Sequence, residues 1–216
     1  MSSGCAGTNP TNPLAIDPSG VTISDWRIEL PLLVSRAVTL REPDARDVGA
    51  LGDLLSLRDA NRFGVDTTTT DHALQDFIAR AQLARVSGES FMFAVTPGAN
   101  RPLVGLMRVR RLDPSFDTGD CEATLMPSVR GTGAFLEAAR LVASFAFRHV
   151  GVHRLEARVL LRNGRANGAL DKLGAVREGI LRRSARGGDG YFDQVLWSIL
   201  KEDWTEQRVS ASPRVH

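Results

Sequence analysis

The sequence of 216 residues has few of the features that mark secreted or membrane proteins. Its two cysteines, Cys5 and Cys121, fall in a polar tail and in a candidate strand, so we expect no disulfide and a reducing compartment. No apolar run approaches the ~18 residues of a membrane helix. The N-terminus also lacks the basic and apolar segments of a secretion signal. These absences predict a soluble, cytoplasmic protein.

Lysine and net charge are scarce as well. Of the 27 basic residues two are lysines, Lys172 and Lys201, and the formal charge is +2. A chain so close to neutrality has no general attraction for nucleic acid or for a membrane surface, and we expect neither as a partner. The histidines at 72, 149 and 153 show no metal-ligand spacing, so we predict no metal site.

The composition favours one folded domain with flexible ends. With 43% hydrophobic residues, the chain can bury a full core. Residues 1–20, rich in Ser, Thr, Asn, Gly and Pro, and residues 205–216 are predicted to be flexible tails. Residues 21–35 form a covering arm that docks through Trp26 and the leucines at 30, 32 and 33. If Trp26 is exposed, the sequence is compatible with a homodimer as well as with a monomer.

Hydrophobic periodicity divides residues 36–204 into alternating strands and helices. The predicted order is a strand, two helices, three strands, a long helix, a strand, a short helix and a hairpin of two strands. Asp44 and then Thr70 or Asp71 are candidate helix caps, and the Asp-Gly pair at 189–190 marks the hairpin turn. The fold class is mixed α/β with one central sheet flanked by helices.

The stretch VRGTGAF, residues 129–135, joins a strand to the long helix. Such a turn leaves the first N–H groups of the helix unpaired at the positive end of its dipole. Gly131 and Gly133 let an anion approach that backbone, and Arg130 adds a charge, which is typical of a phosphate or pyrophosphate site. A glycine turn that binds nothing is the alternative. A P-loop is excluded because Ala134 and Phe135 follow the last glycine.

The element order, with RGTGAF at its middle and NGRANGALDKLGA after the following strand, resembles the GCN5-related N-acetyltransferases (the GNAT family). It is most similar to the branch that contains RimJ and RimL, over residues 36–204. The resemblance implies a GNAT-like domain whose twisted sheet is mostly antiparallel and partly parallel. In the family's turn, Arg/Gln-x-x-Gly-x-Gly/Ala, Arg130 and Gly133 match, whereas Phe135 departs from the last position.

The second motif of that branch is Asn-x-x-Ser followed by Lys-Leu-Gly-Phe/Ala. Asn163 and the run Lys172 to Ala175 match it, but the serine position holds Ala166. In the branch that serine is a proposed proton donor to the leaving thiolate, so Ala166 predicts a slower enzyme or a donor acting through water. Because the pKa of a thiol is near 8.5, the thiolate is an acceptable leaving group even without a proton donor.

The resemblance implies acetyl-coenzyme A as cosubstrate, with its pyrophosphate on the N–H groups of residues 130–135. Its pantetheine arm then runs beside the strand that ends near Leu125 and Met126, whose N–H groups are candidates for the oxyanion. Asn163 either contacts the arm or caps the following helix, and Asn167 is a second contact or an exposed helix residue. The implied cofactor-binding residues are Leu125, Met126, Arg130, Gly131, Thr132, Gly133, Ala134, Phe135, Asn163 and Asn167.

A carboxylate on the strand before the glycine turn serves as the base in many members of the family. Asp120 occupies the position of that carboxylate, and Glu122 occupies a position that is usually glycine in the family. Two residues apart on a strand, they face the same side, where one carboxyl would raise the pKa of the other. Either one is a candidate catalytic base for a primary amine, and a solvated acidic pair at a strand end is the structural alternative.

Three functions remain open on these residues. An N-acetyltransferase acting on a protein N-terminus or a small-molecule amine is favoured by the Asp120 and Glu122 pair. A non-catalytic acyl-coenzyme A-binding sensor or scaffold is favoured by Phe135 and Ala166. A protein that uses the glycine turn for another nucleotide ranks last, because no Mg²⁺-site motif accompanies it.

Overall fold

The computed structural model describes residues 25–57, 70–187 and 190–204. The two predicted tails, residues 58–69 and the tip of the hairpin at 188–189 lie outside these ranges. The family resemblance predicts that the loop 58–70 and the turn 187–190 border the acceptor groove. The elements run in chain order as β1 (Leu33–Val34), β2 (Thr39–Arg41), α1 (Val48–Leu55), α2 (Asp71–Val86), β3 (Ser90–Thr96), β4 (Gly105–Arg111), β5 (Thr118–Leu125), α3 (Ala134–Phe145), β6 (Arg154–Leu160), α4 (Gly164–Leu173), β7 (Val176–Gly187) and β8 (Gly190–Leu200).

The described strands form one sheet in the order β1-β2-β3-β4-β5-β6-β8-β7. Every neighbouring pair is antiparallel except β5 with β6, which run parallel. The mixed α/β class and the mostly antiparallel, partly parallel sheet are thereby confirmed. The arm adds the short strand β1, which the sequence did not predict.

The parallel pair of strands separates soon after it forms. β5 and β6 are in register at Thr118–Arg154, Gly119–Leu155 and Asp120–Glu156, and the pairing goes no further. We call the gap between residues 121–125 of β5 and residues 157–160 of β6 the wedge. The wedge exposes backbone of β5 at the centre of the sheet, where a strand is normally paired on both sides.

Helices cover the two faces of the sheet and bury separate cores. α1 and α2 pack on the face that carries Met92, Ala94 and Leu106. α3 packs on the opposite face, against the phenylalanines of β3 and the apolar residues of β6 and β8. Because side chains alternate along a strand, β5 turns Cys121, Ala123 and Leu125 to the α3 face and Asp120, Glu122 and Thr124 to the α1/α2 face.

The buried stripe of α3 lies slightly off the face that the 3.6-residue spacing predicts, which consists of Phe135, Leu136, Ala139, Val142, Ala143, Ala146, Phe147 and Val150. Phe145, 1% exposed, was not predicted, yet it packs edge-on against Phe91 and Phe93 with ring centroids 5.2 and 5.4 Å apart. Phe135 is partly buried against the core, and both Phe135 and Leu136 line an open cleft. After Phe145 the helix widens into a π turn, Ala146–Val150, which shifts the phase of the last residues.

The covering arm is anchored at several points. Trp26 is 4% exposed and packs edge-on against Phe91 and Phe116, so it contributes to the core and gives no support for a dimer. The buried Arg85 of α2 binds Glu42 and the backbone carbonyls of Trp26 and Arg27. Leu30 docks as predicted, whereas Leu32 is 53% exposed. No helix among the described residues is long and apolar enough to cross a membrane.

We predict that the ion pair between Arg154 and Glu178 makes stability depend on pH. Two 2.6 Å bonds from Arg154, and one from Ser198, lower the pKa of Glu178 from 4.5 to about 2. The stabilisation is therefore complete above about pH 4.5 and is lost as the pH falls towards 2. Glu178→Gln should lower Tm at pH 7. The difference in Tm between this variant and wild type should be smaller when melting is measured at pH 3.5.

The matched control is Glu89→Gln, which removes a carboxylate that is more than half exposed and 3.8 Å from Arg111. Its Tm should stay close to wild type throughout that pH range. If the Tm of Glu178→Gln differs from that of wild type as much at pH 3.5 as at pH 7, the ion pair does not control this pH dependence.

Candidate active site

The glycine turn is built as an anion site requires. Gly131 and Gly133 adopt φ values of +85° and +89°, which L residues with a side chain rarely reach. A Cβ placed on either glycine meets no atom within 4 Å, so the space above the turn is open. Gly133 is also the N-cap of α3, which places the turn at the positive end of the helix dipole.

Several N–H groups of the turn are available to a ligand. Arg130 N–H donates to Pro127 O at 3.2 Å, and Ala134 N–H reaches Thr132 Oγ1 at a long 3.4 Å. Within the described ranges, the amides of Gly131, Gly133 and Phe135 have no acceptor. Three N–H groups in one turn form a concave donor surface that suits a phosphate or a pyrophosphate.

Arg130 reaches back to the end of β5, the strand that precedes the glycine turn. Its guanidinium donates to Leu125 O from Nε at 3.4 Å and from a terminal nitrogen at 3.3 Å. The charge therefore lies over the end of β5, between the turn and the wedge, and not directly over the N–H groups of the turn.

A cleft with a volume of about 1290 Å³ connects the turn to the wedge. Its floor is apolar and is formed by the α3 face of β5 and β6, by α3 and by α4. Basic side chains lie along its border, namely Arg130, Arg158, Arg162, Arg165, Lys172 and Arg186. An elongated ligand with an apolar arm and several phosphates matches this distribution of apolar and basic groups.

The hydrogen bonding of β5 distinguishes between the two candidate oxyanion donors. Met126 N–H donates to Val104 O at 2.8 Å, on the β4 side. Successive residues of a strand direct their N–H groups to opposite sides, so Leu125 N–H points to the wedge. No residue of β6 pairs with β5 there among the described residues. Leu125 thus presents a backbone donor to a ligand in the wedge.

The two asparagines have clear structural contacts. Asn163 is the N-cap of α4, and its Oδ1 accepts from Ala166 N–H at 3.1 Å, which is one of the two roles predicted for it. Asn167 is half-buried: its amide donates to Leu160 O and Asn163 O, and its Oδ1 accepts from the Trp197 indole at 2.9 Å. These bonds occupy Asn167 inside the fold. A ligand contact by either residue stays a prediction.

Asp120 and Glu122 share the α1/α2 face of β5, as predicted, but each has a cationic neighbour. Asp120, 5% exposed, accepts from Arg110 at 3.0 Å and lies 3.9 Å from Arg158. Glu122 accepts from Arg108, whose Nε is 2.9 Å away. The two carboxylates are therefore largely shielded from solvent, and their charges are balanced by arginines. β4 supplies Arg108 and Arg110, and β6 supplies Arg158. Sequence reasoning missed these arginines.

Thr124, the next residue on that face, was also missed. It is 5% exposed, and its hydroxyl is buried with no hydrogen-bond partner in the structure. It stands directly opposite Leu106 of β4 and one residue before Leu125. Its signal in the sequence was the two-residue spacing from Asp120 and Glu122, which puts all three side chains in one row.

Other side chains that could carry chemistry lie apart from this row. Burial raises the pKa of Cys121, on the opposite face of β5, to about 12, so its thiol is a poor nucleophile. Tyr191 is 63% exposed beside the hairpin, and Arg186 is the one hairpin arginine that lines the cleft among the described residues. The described residues contain no group of three metal-ligating side chains.

Comparison with known proteins gives this geometry a family. Residues 37–176 match the Acetyltransferase (GNAT) domain, which is well over half of the chain. The chain belongs to the GNAT acetyltransferase family. A curated relative of this GNAT protein, the probable N-acetyltransferase YjcK of Bacillus subtilis, is 28% identical over 116 residues. That alignment covers 53% of the chain and 64% of YjcK, so it spans less than two thirds of the relative.

Solved structures show the same GNAT fold. The ribosomal-protein-S5-alanine acetyltransferase from Vibrio fischeri has a TM-score of 0.70 at 17% identity, covering 81% of this chain and 99% of that one. Mycobacterium smegmatis RimJ, solved in complex with a coenzyme A disulfide, has a TM-score of 0.66 at 20% identity, covering 80% and 87%. At such identities the likeness concerns the fold alone, and RimJ is among the proteins that share this fold.

Proposed function

We propose that this GNAT protein transfers an acetyl group from acetyl-coenzyme A to a primary amine. The observation that carries the proposal is the continuous path from the glycine turn to the wedge. Free N–H groups at Gly131, Gly133 and Phe135 lie at one end of this path. Leu125 N–H and Thr124 lie at the other, and Glu122 and Asp120 continue the row of Thr124 along β5.

Acetyl-coenzyme A fits the residues along this path. Its pyrophosphate suits the open N–H groups of the turn, and its pantetheine arm suits the unpaired edge of β5 beside the apolar floor of the cleft. A Cβ at Gly133 would stand in open space above the turn, where a phosphate has to approach. Acetyl-coenzyme A supplies a thioester, whose carbonyl oxygen becomes negative during amine attack. Leu125 N–H is the donor for that oxygen.

The acceptor amine enters from the α1/α2 face, since the coenzyme occupies the other side of the wedge. The amine nitrogen forms a bond to the acetyl carbon, and the carbon–sulfur bond breaks. One proton leaves the nitrogen and the thiolate departs as free coenzyme A. An α-amino group, with a pKa near 7.7–8.0, needs about 1 kcal/mol for deprotonation at neutral pH, whereas a lysine amine near 10.4 needs over 4 kcal/mol. This difference favours an acceptor with an α-amino or similarly weak amine.

Glu122 is the better placed of the two carboxylates to receive the proton. Asp120 stands at the last paired position of the parallel strands, whereas Glu122 lies beyond it, beside the wedge. The side chain of Glu122 is 16% exposed against 7% for Asp120. A water between Glu122 and the amine bridges the remaining distance. Asp120 holds Arg110 and Arg158 in place and is the second candidate.

The acceptor assay uses free-thiol release together with the mass of the acetylated product. The panel contains a peptide with a free N-terminus, the same peptide with a blocked N-terminus and one lysine, spermidine and glucosamine. We expect the free N-terminus to react fastest and the blocked peptide to react slowest. Acetyl-coenzyme A binding with no thiol release on any of these amines would favour the sensor or scaffold, for which Ala166 in place of serine is the specific observation.

A further inference from the structure

We propose that the Thr124 hydroxyl accepts a hydrogen bond from the neutral attacking amine and thereby orients its lone pair towards the thioester. The inference rests on the proposed function and adds a substrate-contacting residue to it. Thr124 is 95% buried, and its Oγ1 has no hydrogen-bond partner among the residues that the structure describes. Leaving a buried hydroxyl unsatisfied costs a protein more than a valine of the same shape would. A contact with the substrate accounts for a hydroxyl at this position.

The position of Thr124 identifies the part of the reaction that it serves. It directly precedes Leu125, whose N–H faces the wedge, and it stands on the face from which the acceptor enters. Residues two apart on one face are separated by roughly 7 Å, so a single water fits between an amine at Thr124 and the Glu122 carboxylate. The contact requires a rotation about χ1 of Thr124 that brings the hydroxyl from its covered position to the strand edge; more than one χ1 rotamer is common in strands.

The charges around the row explain why a hydroxyl, rather than a carboxylate, suits this contact. Asp120 and Glu122 are each bound to an arginine. A carboxylate in direct contact would hold the acceptor as an ammonium ion, which has no lone pair for attack. A neutral hydroxyl accepts an N–H from the free amine and leaves the lone pair available. The contact thus selects the reactive form of a weakly basic monoamine.

Thr124→Val tests this contact, because it removes the hydroxyl and preserves the shape. With acetyl-coenzyme A and the peptide bearing a free N-terminus, we expect kcat/KM for the peptide to fall about tenfold. KM for acetyl-coenzyme A and the shape of the pH–rate profile should not change. Thr124→Ser, which keeps the hydroxyl, should restore most of the rate. Wild-type kinetics in Thr124→Val would overturn the inference.

Thr96→Val is the matched control for stability. Thr96 is also fully buried, but its Oγ1 donates to Thr39 O at 3.0 Å. We expect Thr96→Val to lower Tm by a few degrees, whereas Thr124→Val should keep or raise Tm. An equal loss of Tm in both variants would show that Thr124 has a structural partner, which contradicts the inference. A wild-type protein that acetylates no amine would instead refute the proposed function itself.

Discussion

The double variant Asp120→Asn/Glu122→Gln should lose about 10²- to 10⁴-fold in kcat, the usual contribution of a positioned base. Both substitutions keep the size of the side chains and a polar contact for Arg108 and Arg110. Without a base the variant depends on amine that is already deprotonated in solution, so its rate should rise about tenfold per pH unit below the pKa of the acceptor. The single variant Glu122→Gln should account for most of the effect.

Glu178→Gln is the control for this experiment. It removes an arginine-bound carboxylate from the same sheet, but Glu178 lies on the edge strand β7, away from the row on β5. At 25 °C and pH 7, where the protein remains folded, its kcat should match wild type. If the double variant retains full kcat while its acetyl-coenzyme A affinity is normal, neither carboxylate is the base.

The second large effect is expected at the glycine turn. Gly133→Ala places a methyl group where the pyrophosphate approaches and strains a residue at φ +89°. Losing one charge-assisted hydrogen bond costs about 1.5–3 kcal/mol, which raises Kd for acetyl-coenzyme A about 10- to 100-fold. The left-handed backbone costs a further 1–2 kcal/mol or so in folding stability. Calorimetric titration and thermal melting measure the two effects separately.

Gly151→Ala separates strain from ligand contact. Gly151 has a φ of +92° and equally open space around a Cβ, but it follows the far end of the α3 helix and does not line the cleft. Its loss of stability should equal that of Gly133→Ala, while Kd should stay at the wild-type value. Equal Kd values in the two variants would remove the glycine turn from the binding site.

The glycine turn and the helix caps were predictable because their signals are local. A left-handed residue before a helix needs glycine, which Gly133 supplies, and Thr70 accepts from Ala73 N–H as a cap three residues away in sequence. Asn163 likewise caps α4 through the backbone of Ala166. In each case the residue and its partner stand within one turn of each other.

The surroundings of the acidic row depend on register and on contacts between distant segments. Apolar and polar residues alternate along β4 and β5, and a short turn joins the two strands. These two signals were sufficient in principle to place Arg108 opposite Glu122 and Arg110 opposite Asp120. Arg158 comes from β6 across a parallel pairing, which no local pattern specifies. The wedge arises where that pairing stops, and the two-residue strand β1 is too short to show a period. These features required the structure.

Thermal melting with and without acetyl-coenzyme A tests the central claim most directly. At 100 times its dissociation constant a ligand stabilises by roughly 2.7 kcal/mol, which corresponds to a Tm increase of about 5–10 °C for a chain of this size. We predict that increase for wild type and Gly151→Ala, and a much smaller one for Gly133→Ala at the same concentration. An unchanged Tm of the wild-type protein at millimolar acetyl-coenzyme A would contradict the account.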